Sequence, residues 1–241
     1  MSIFITRFAK IPTRRVLRTR FFCNQRSALE KSNTEKVLEI PGCFHFHANF
    51  DQELQRKIVE SMLIYPDFIT QLEEETIYAE IQPYLKRLRY EFDHWDDAIH
   101  GYRETEKLNW NESNSKIIER LRKIAFPPGT AQLAHVHVLD LDAKGVIKPH
   151  IDSVRFCGST IAGISLLSSS VMRLVNDKRK DQVVDIFLKQ RSLYIMKNDS
   201  RYDYTHEILG EQDSIFKGEK IPRTRRISVI CRNEPSAEHE S

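Results

Sequence analysis

Cysteine is scarce in this chain: there are four in 241 residues, Cys23, Cys43, Cys157 and Cys231. None forms a C-x-x-C pair, so neither a disulfide framework nor a thiolate zinc site is expected, and a reducing compartment is the default. No stretch approaches the roughly 18 continuous apolar residues of a membrane-spanning helix. No internal repeat is visible, which sets repeat architectures aside. Acidic residues are missing altogether from the first 29 positions, which carry seven cations: Arg7, Lys10, Arg14, Arg15, Arg18, Arg20 and Arg26. Ile3, Phe4, Ile5, Phe8, Ile11, Val16 and Leu17 are interleaved with them, giving the basic, acid-free, amphipathic character of a mitochondrial transit peptide. A basic arm that touches RNA or membrane is the alternative reading.

Beyond the arm, an apolar content of 40% and a charged content of 29% are those of a globular domain with a full core. The whole chain carries +3, and setting aside the seven cations of the arm leaves −4 for residues 30–241. A domain of that sign has no overall attraction for a nucleic-acid backbone. The expected organisation is a transit peptide over 1–29, a linker over 30–40, one domain over 41–232 and a disordered tail over 233–241.

Helical spacing predicts a helix from Asp51 to Ile64, stopped by Tyr65-Pro66, and a second one opened by the capping box Thr70-Gln71-Leu72-Glu73, with Pro83 as a kink or break. A third runs from Asn114 to Ala125 and ends before Pro127-Pro128-Gly129. His45-Phe46-His47 alternates like a strand, with surface histidines. After Gly129 the period changes to two, and eight strand-like runs follow: Leu133–Leu141, Val146–Ile151, Thr160–Leu167, Val171–Val175, Val183–Leu188, Ser192–Lys197, Tyr202–Ile208 and Arg226–Arg232. The fold class is α+β: a double-stranded β-helix, or jelly roll, behind a supporting N-terminal helical layer.

Chemistry concentrates in Lys148-Pro149-His150-Ile151-Asp152-Ser153, where an imidazole and a carboxylate stand two residues apart. With His206 they make a candidate metal site, because two histidines and a carboxylate on one face of Fe(II) leave adjacent positions for a co-substrate and O₂. Taken singly, Asp152 could cap a turn and His206 could be a core histidine. Arg226 follows twenty residues after His206, and its fork suits a dicarboxylate such as 2-oxoglutarate. Alternation on the last run places Arg226, Ser228, Ile230 and Arg232 on one face and Ile227, Val229 and Cys231 on the other. A second His-x-Asp, His94-Trp95-Asp96, is read as a decoy in a polar stretch with no strand ladder after it. His135-x-His137 is assigned a structural role in preference to a second metal.

The order and spacing of these residues resemble the AlkB-like 2-oxoglutarate/Fe(II) dioxygenases. The likeness is carried by His94 to Gly101, Val136 to Leu141, Lys148 to Ser153, Gly158 to Gly163, Tyr202 to Leu209 and Arg226 to Arg232, and is strongest to a mitochondrial member. The resemblance implies Fe(II) on His150, Asp152 and His206, with 2-oxoglutarate and O₂ as co-substrates. It further implies that Arg226 grips the distal carboxylate of 2-oxoglutarate beside Ser228, that Arg232 lies nearer the metal, and that the Tyr194 phenol donates to the same co-substrate. Leu139 and Leu141 stand where nucleic-acid-repairing members carry Asn and Tyr, so an apolar wall is expected there. A monomer in the mitochondrial matrix is expected, and the same resemblance implies links to programmed necrosis after alkylation or oxidative damage and to fatty-acid metabolism. Its substrate is expected to be a protein or a small molecule. Demethylation of mitochondrial RNA is the alternative, and a non-catalytic, metal-stabilised jelly roll that binds a partner is the rival from another class.

Overall fold

A computed structural model describes residues 39–92 and 98–235. The arm, most of the linker and the decoy His94-Trp95-Asp96 lie outside the described residues.

The N-terminal layer begins with β1 (Phe44–Phe46), α1 (Gln52–Ser61), β2 (Met62–Tyr65) and α2 (Gln71–Leu85). Thr70 and Glu73 form a reciprocal capping box at the start of α2, an arrangement worth about 1 kcal/mol. Pro83 does not break α2: it sits in the last turn, and the helix runs two residues beyond it. The first helix is shorter than its periodicity predicts. Its last ladder bond is Met62 N–H to Ile58 O, and the chain then turns extended, because Met62–Tyr65 pairs with a strand of the main sheet. Next come β3 (Ile99–Lys107) and α3 (Glu112–Ala125), the latter capped by the Asn111 side chain on Asn114 N–H. β3 corrects the sequence reading, which put no strand after the decoy motif; its charged Arg-Glu-Thr-Glu-Lys run hides the ladder.

The core follows as β4 (Val136–His150), β5 (Thr160–Leu166), β6 (Ser170–Asn176), β7 (Val183–Leu188), β8 (Leu193–Lys197), α4 (Asn198–Tyr202), β9 (Tyr204–Ile208), a small hairpin of β10 (Ile215–Phe216) and β11 (Glu219–Lys220), and β12 (Arg226–Arg232). Two of the expected runs are one long bent strand, β4. The bend has no space for a side chain at Gly145, where a Cβ would meet Gly101 O at 2.6 Å and Leu141 Cδ1 at 2.8 Å. Strand order is β1-β7-β6-β9-β4-β12-β5-β8-β2, with β3 alongside β4. The first part of β4 pairs with β12 and its last part with β9, so one strand joins two facing antiparallel sheets. That is a jelly roll.

Strand alternation divides the apolar residues into two cores. Between the sheets lie Leu139, Leu141, Ile161, Met172, Leu174, Val184, Ile186, Met196 and Ile230. On the outer face Val138, Ala162, Ile164, Leu166, Ile195, Ile227 and Val229 pack with Ile77, Ile81, Leu85, Ile117 and Leu121 from α2 and α3. Each buried side chain of that size contributes about 1.5–3 kcal/mol. The helical layer thus fixes the β4-β12-β5-β8 sheet from behind and leaves its inner face for chemistry. Asn233 bonds Gly158 and Thr160 and Glu234 N–H reaches Ala131 O, so these two residues belong to the domain and not to a tail.

Candidate metal centre and co-substrate chamber

His150 is the last residue of β4, Asp152 lies in the loop after it, and His206 occupies the middle of β9 directly opposite His150 in the register. The two imidazole centroids are 4.3 Å apart. One donor atom from each of the three residues falls within 4.8 Å of the others. His150 Nδ1 is 2.9 Å from Lys148 O, and since a carbonyl only accepts, Nδ1 carries the proton and Nε2 offers its lone pair inward. Burial lowers the His206 pKa to about 4, keeping this imidazole neutral and able to ligate at physiological pH. Burial works against ionisation of Asp152, yet its neighbours, the two imidazoles and the permanently charged Arg232 guanidinium, hold its carboxyl well below the usual range. Neutral imidazoles and an ionised carboxylate are the donor set of a divalent transition metal with open coordination positions.

Behind this triad lies an inner chamber of about 70 Å³, lined by Leu139, Tyr194, Arg226, Ser228, Ile230 and Arg232 among others. Arg226 is 2% exposed, and Nη1 donates to Ser228 Oγ at 2.6 Å while Nη2 donates to Ser165 Oγ at 3.0 Å. Its Nε is buried without a partner, and among the described residues no carboxylate pairs with it. Burial lowers its pKa to about 10. A buried guanidinium held by two hydroxyls is incomplete until a carboxylate meets it, and a dicarboxylate reaching from the metal fits that demand. Tyr194 is buried in the same wall, its phenol pKa raised by that burial. Leu139 lines the chamber, whereas Leu141 packs deeper beside Gly145.

An outer cleft of about 590 Å³ opens on the other side of the triad, bordered by Glu104, Glu106, His137, Ser153, Phe156 and Arg232. Chamber and cleft share Ile99, His137, His150, Asp152 and Arg232, so a reacting group in the cleft has direct access to the triad. The structure brings His150, Asp152, His206, Tyr194, Arg226, Ser228 and Arg232 together around one chamber, and leaves Leu141 out of its lining. Sequence reasoning missed Ser165, because its place opposite Ser228 depends on the pairing of β5 with β12, which no local pattern shows. It also missed Glu104, because β3 was not recognised. His137 belongs to the site's rim, while His135 lines a neighbouring surface recess without a place near the triad.

A jelly roll that converges two histidines, a carboxylate and a buried arginine on one chamber is the architecture of an oxygenase that uses Fe(II) and an oxo-diacid. The family model of the 2OG-Fe(II) oxygenase superfamily matches residues 42–232, and the chain belongs to that family. Within it the chain is AlkB-like and is similar to two proteins named alpha-ketoglutarate-dependent dioxygenase alkB homolog 7, mitochondrial. The mouse protein is 50% identical over 81% of this chain and 88% of its own, and the bovine one 51% identical over 74% and 81%. Among solved structures, a Trichoplax adhaerens prolyl hydroxylase in complex with a hypoxia inducible factor peptide fragment superposes with a TM-score of 0.54. It is 10% identical, covers 76% of this chain and 88% of its own, and attests the fold. The protein is therefore a mitochondrial 2-oxoglutarate- and Fe(II)-dependent dioxygenase.

Proposed function

We propose that this enzyme hydroxylates an aliphatic carbon of a protein or another non-nucleic-acid molecule in the mitochondrial matrix. His150, Asp152 and His206 hold Fe(II), Arg226 with Ser228 and Ser165 binds the distal carboxylate of 2-oxoglutarate, and Tyr194 and Arg232 orient the rest. When bound, the metal couples oxidative decarboxylation of 2-oxoglutarate by O₂, giving succinate and CO₂, to insertion of the other oxygen atom into a substrate C–H. The protein's part is positional: it presents two neutral imidazoles and an ionised carboxylate, and shields the co-substrate in the inner chamber.

The observation that carries the substrate reading is the wall of the outer cleft. Along it β3 presents Glu104 and Glu106, both exposed, and Arg232 is engaged by His137. Two carboxylates at the entrance repel a phosphodiester backbone and suit a neutral or cationic group. The negative charge of residues 30–241 acts in the same direction. The roles in programmed necrosis and fatty-acid metabolism belong to the same reading; cells lacking the protein should survive an alkylating dose that kills matched controls.

The test is to incubate the enzyme, Fe(II), ascorbate and 2-oxoglutarate with matrix protein and matrix RNA in separate reactions, following succinate, formaldehyde and added oxygen by mass. Oxidation of a side-chain carbon leaves a stable alcohol, whereas oxidation of an N-methyl group releases formaldehyde. Added oxygen on protein is expected; stoichiometric formaldehyde from the RNA reaction alone would overturn the proposal.

A further inference from the structure

Arg232 ends β12 at the border between the inner chamber and the outer cleft, and both spaces touch it. Its Nε is 3.9 Å from Asp152 Oδ2, too long for a firm hydrogen bond, and its Nη1 is 3.0 Å from His137 Nδ1. An arginine has only donors, so His137 Nδ1 must be the acceptor. The ring proton then sits on Nε2, which is 2.8 Å from Glu104 Oε2 and donates to it. Chemistry alone thereby fixes the order of the chain: the Glu104 carboxylate accepts from His137, and His137 accepts from Arg232. His137 faces Glu106 across the β3-β4 ladder, and Glu104 reaches it diagonally. Three strands thus contribute one residue each.

We propose that Glu104 and His137 are positioning residues for Arg232, holding its guanidinium edge-on to Asp152 and to the co-substrate end nearest the metal. An unrestrained arginine would have to give up most of its rotamer freedom when 2-oxoglutarate binds, and a side chain already fixed by a neutral imidazole has little left to lose. The arrangement is the outer-shell logic of a carboxylate–histidine pair applied to an arginine in place of a metal. Glu104 is also part of the substrate wall, its side chain 40% exposed against 16% for His137. The same carboxylate therefore borders the substrate and steadies the residue beside the co-substrate. This inference rests on the co-substrate assignment proposed above.

The experiment measures the affinity of the Mn(II)-loaded protein for 2-oxoglutarate by calorimetry, since manganese occupies such a site without turnover. His137→Leu is expected to weaken binding about tenfold, the size typical of losing an outer-shell partner. In His137→Asn the amide oxygen stands near the former Nδ1, and most of that loss should be recovered. Glu104→Gln, which still accepts from Nε2–H, should stay close to wild type, while Glu104→Ala falls several-fold. Mn(II) affinity and the unfolding temperature are followed in parallel, and should His137→Leu fail to fold, the exposed Glu104 pair carries the comparison. Unchanged affinity in His137→Leu, equal losses in His137→Leu and His137→Asn, or equal affinities in Glu104→Ala and Glu104→Gln would each overturn the proposal. Failure of the wild-type protein to bind 2-oxoglutarate would instead sink the co-substrate assignment itself.

Discussion

Gly163 makes the space that the Tyr194 ring fills. The two are cross-strand partners on β5 and β8, and a Cβ on residue 163 would stand 2.6 Å from Cε1, Cζ and Oη of Tyr194. No real Cβ contact is that short, so any side chain here must push the phenol out of the chamber wall. Gly163→Ala is expected to raise the KM for 2-oxoglutarate about tenfold while costing about 1–3 kcal/mol of stability, the usual range for overpacking. Steady-state kinetics with thermal unfolding would check this; an unchanged KM would mean that Tyr194 takes no part in co-substrate binding.

Removing a metal-site carboxylate should separate iron retention from folding. In Asp152→Ala the two histidines remain in register on β4 and β9, and the apolar layers are untouched. Metal content after gel filtration should fall to background and succinate production with it, at an unfolding temperature near that of the metal-free wild type.

Arg226 gives the opposite separation. It is fully buried, its Nε lacks a partner, and no carboxylate pairs with it among the described residues. Such an uncompensated charge destabilises the empty protein. Arg226→Met should therefore unfold at the same temperature as the apo wild type or above it, and yet show no stabilisation by 2-oxoglutarate in the presence of Mn(II). A fluorescence thermal-shift series with and without 2-oxoglutarate distinguishes the two effects.

Stability of the metal-free protein should fall as pH falls from about 6.5 to about 4. His206 is depressed to about 4 from its ordinary value of 6.5 by burial. Between those values the unfolded chain takes up a proton that the folded chain refuses, so the stability contributed by neutral His206 is present above 6.5 and lost on descent. The amount is on the order of 3 kcal/mol. Asp152, also depressed, acts with the same sign at lower pH. Urea titrations of wild type and His206→Gln at pH 7 and pH 5 should show a smaller pH dependence in the variant.

Asp140 supports the sheet from behind. Its carboxylate is fully buried and receives Arg103 Nε at 2.6 Å together with Arg225 Nε at 2.8 Å and Nη2 at 2.7 Å. Asp140→Ala would leave two guanidinium groups without their partner and should cost about 3 kcal/mol, with the metal triad intact in the surviving folded fraction. Chemical denaturation together with metal titration would show both.

Much of this arrangement was legible because a strand sorts its residues by parity. On β12 the inward set of Arg226, Ser228, Ile230 and Arg232 and the helix-facing set of Ile227, Val229 and Cys231 follow directly from alternation, and the structure places them so. The capping box of α2 was visible for a similarly local reason. What sequence hid was tertiary. The second half of β3 is polar on both faces, because Arg103 reaches the buried Asp140 and Glu104 reaches His137, partners more than thirty residues away. The end of α1 was misplaced because the ladder offered by β8 outweighs helical periodicity at Met62. The bend that turns β4 from one sheet to the other depends on close approach of Gly101 and Gly145, which no spacing reveals.

Anomalous diffraction at the manganese edge, from crystals grown with Mn(II) and 2-oxoglutarate, tests the site most directly. The metal should lie within bonding distance of His150 Nε2, Asp152 and His206, with the distal carboxylate of 2-oxoglutarate on the Arg226 guanidinium between Ser165 and Ser228. A manganese peak elsewhere, or a co-substrate that leaves Arg226 without a carboxylate, would contradict the assignment.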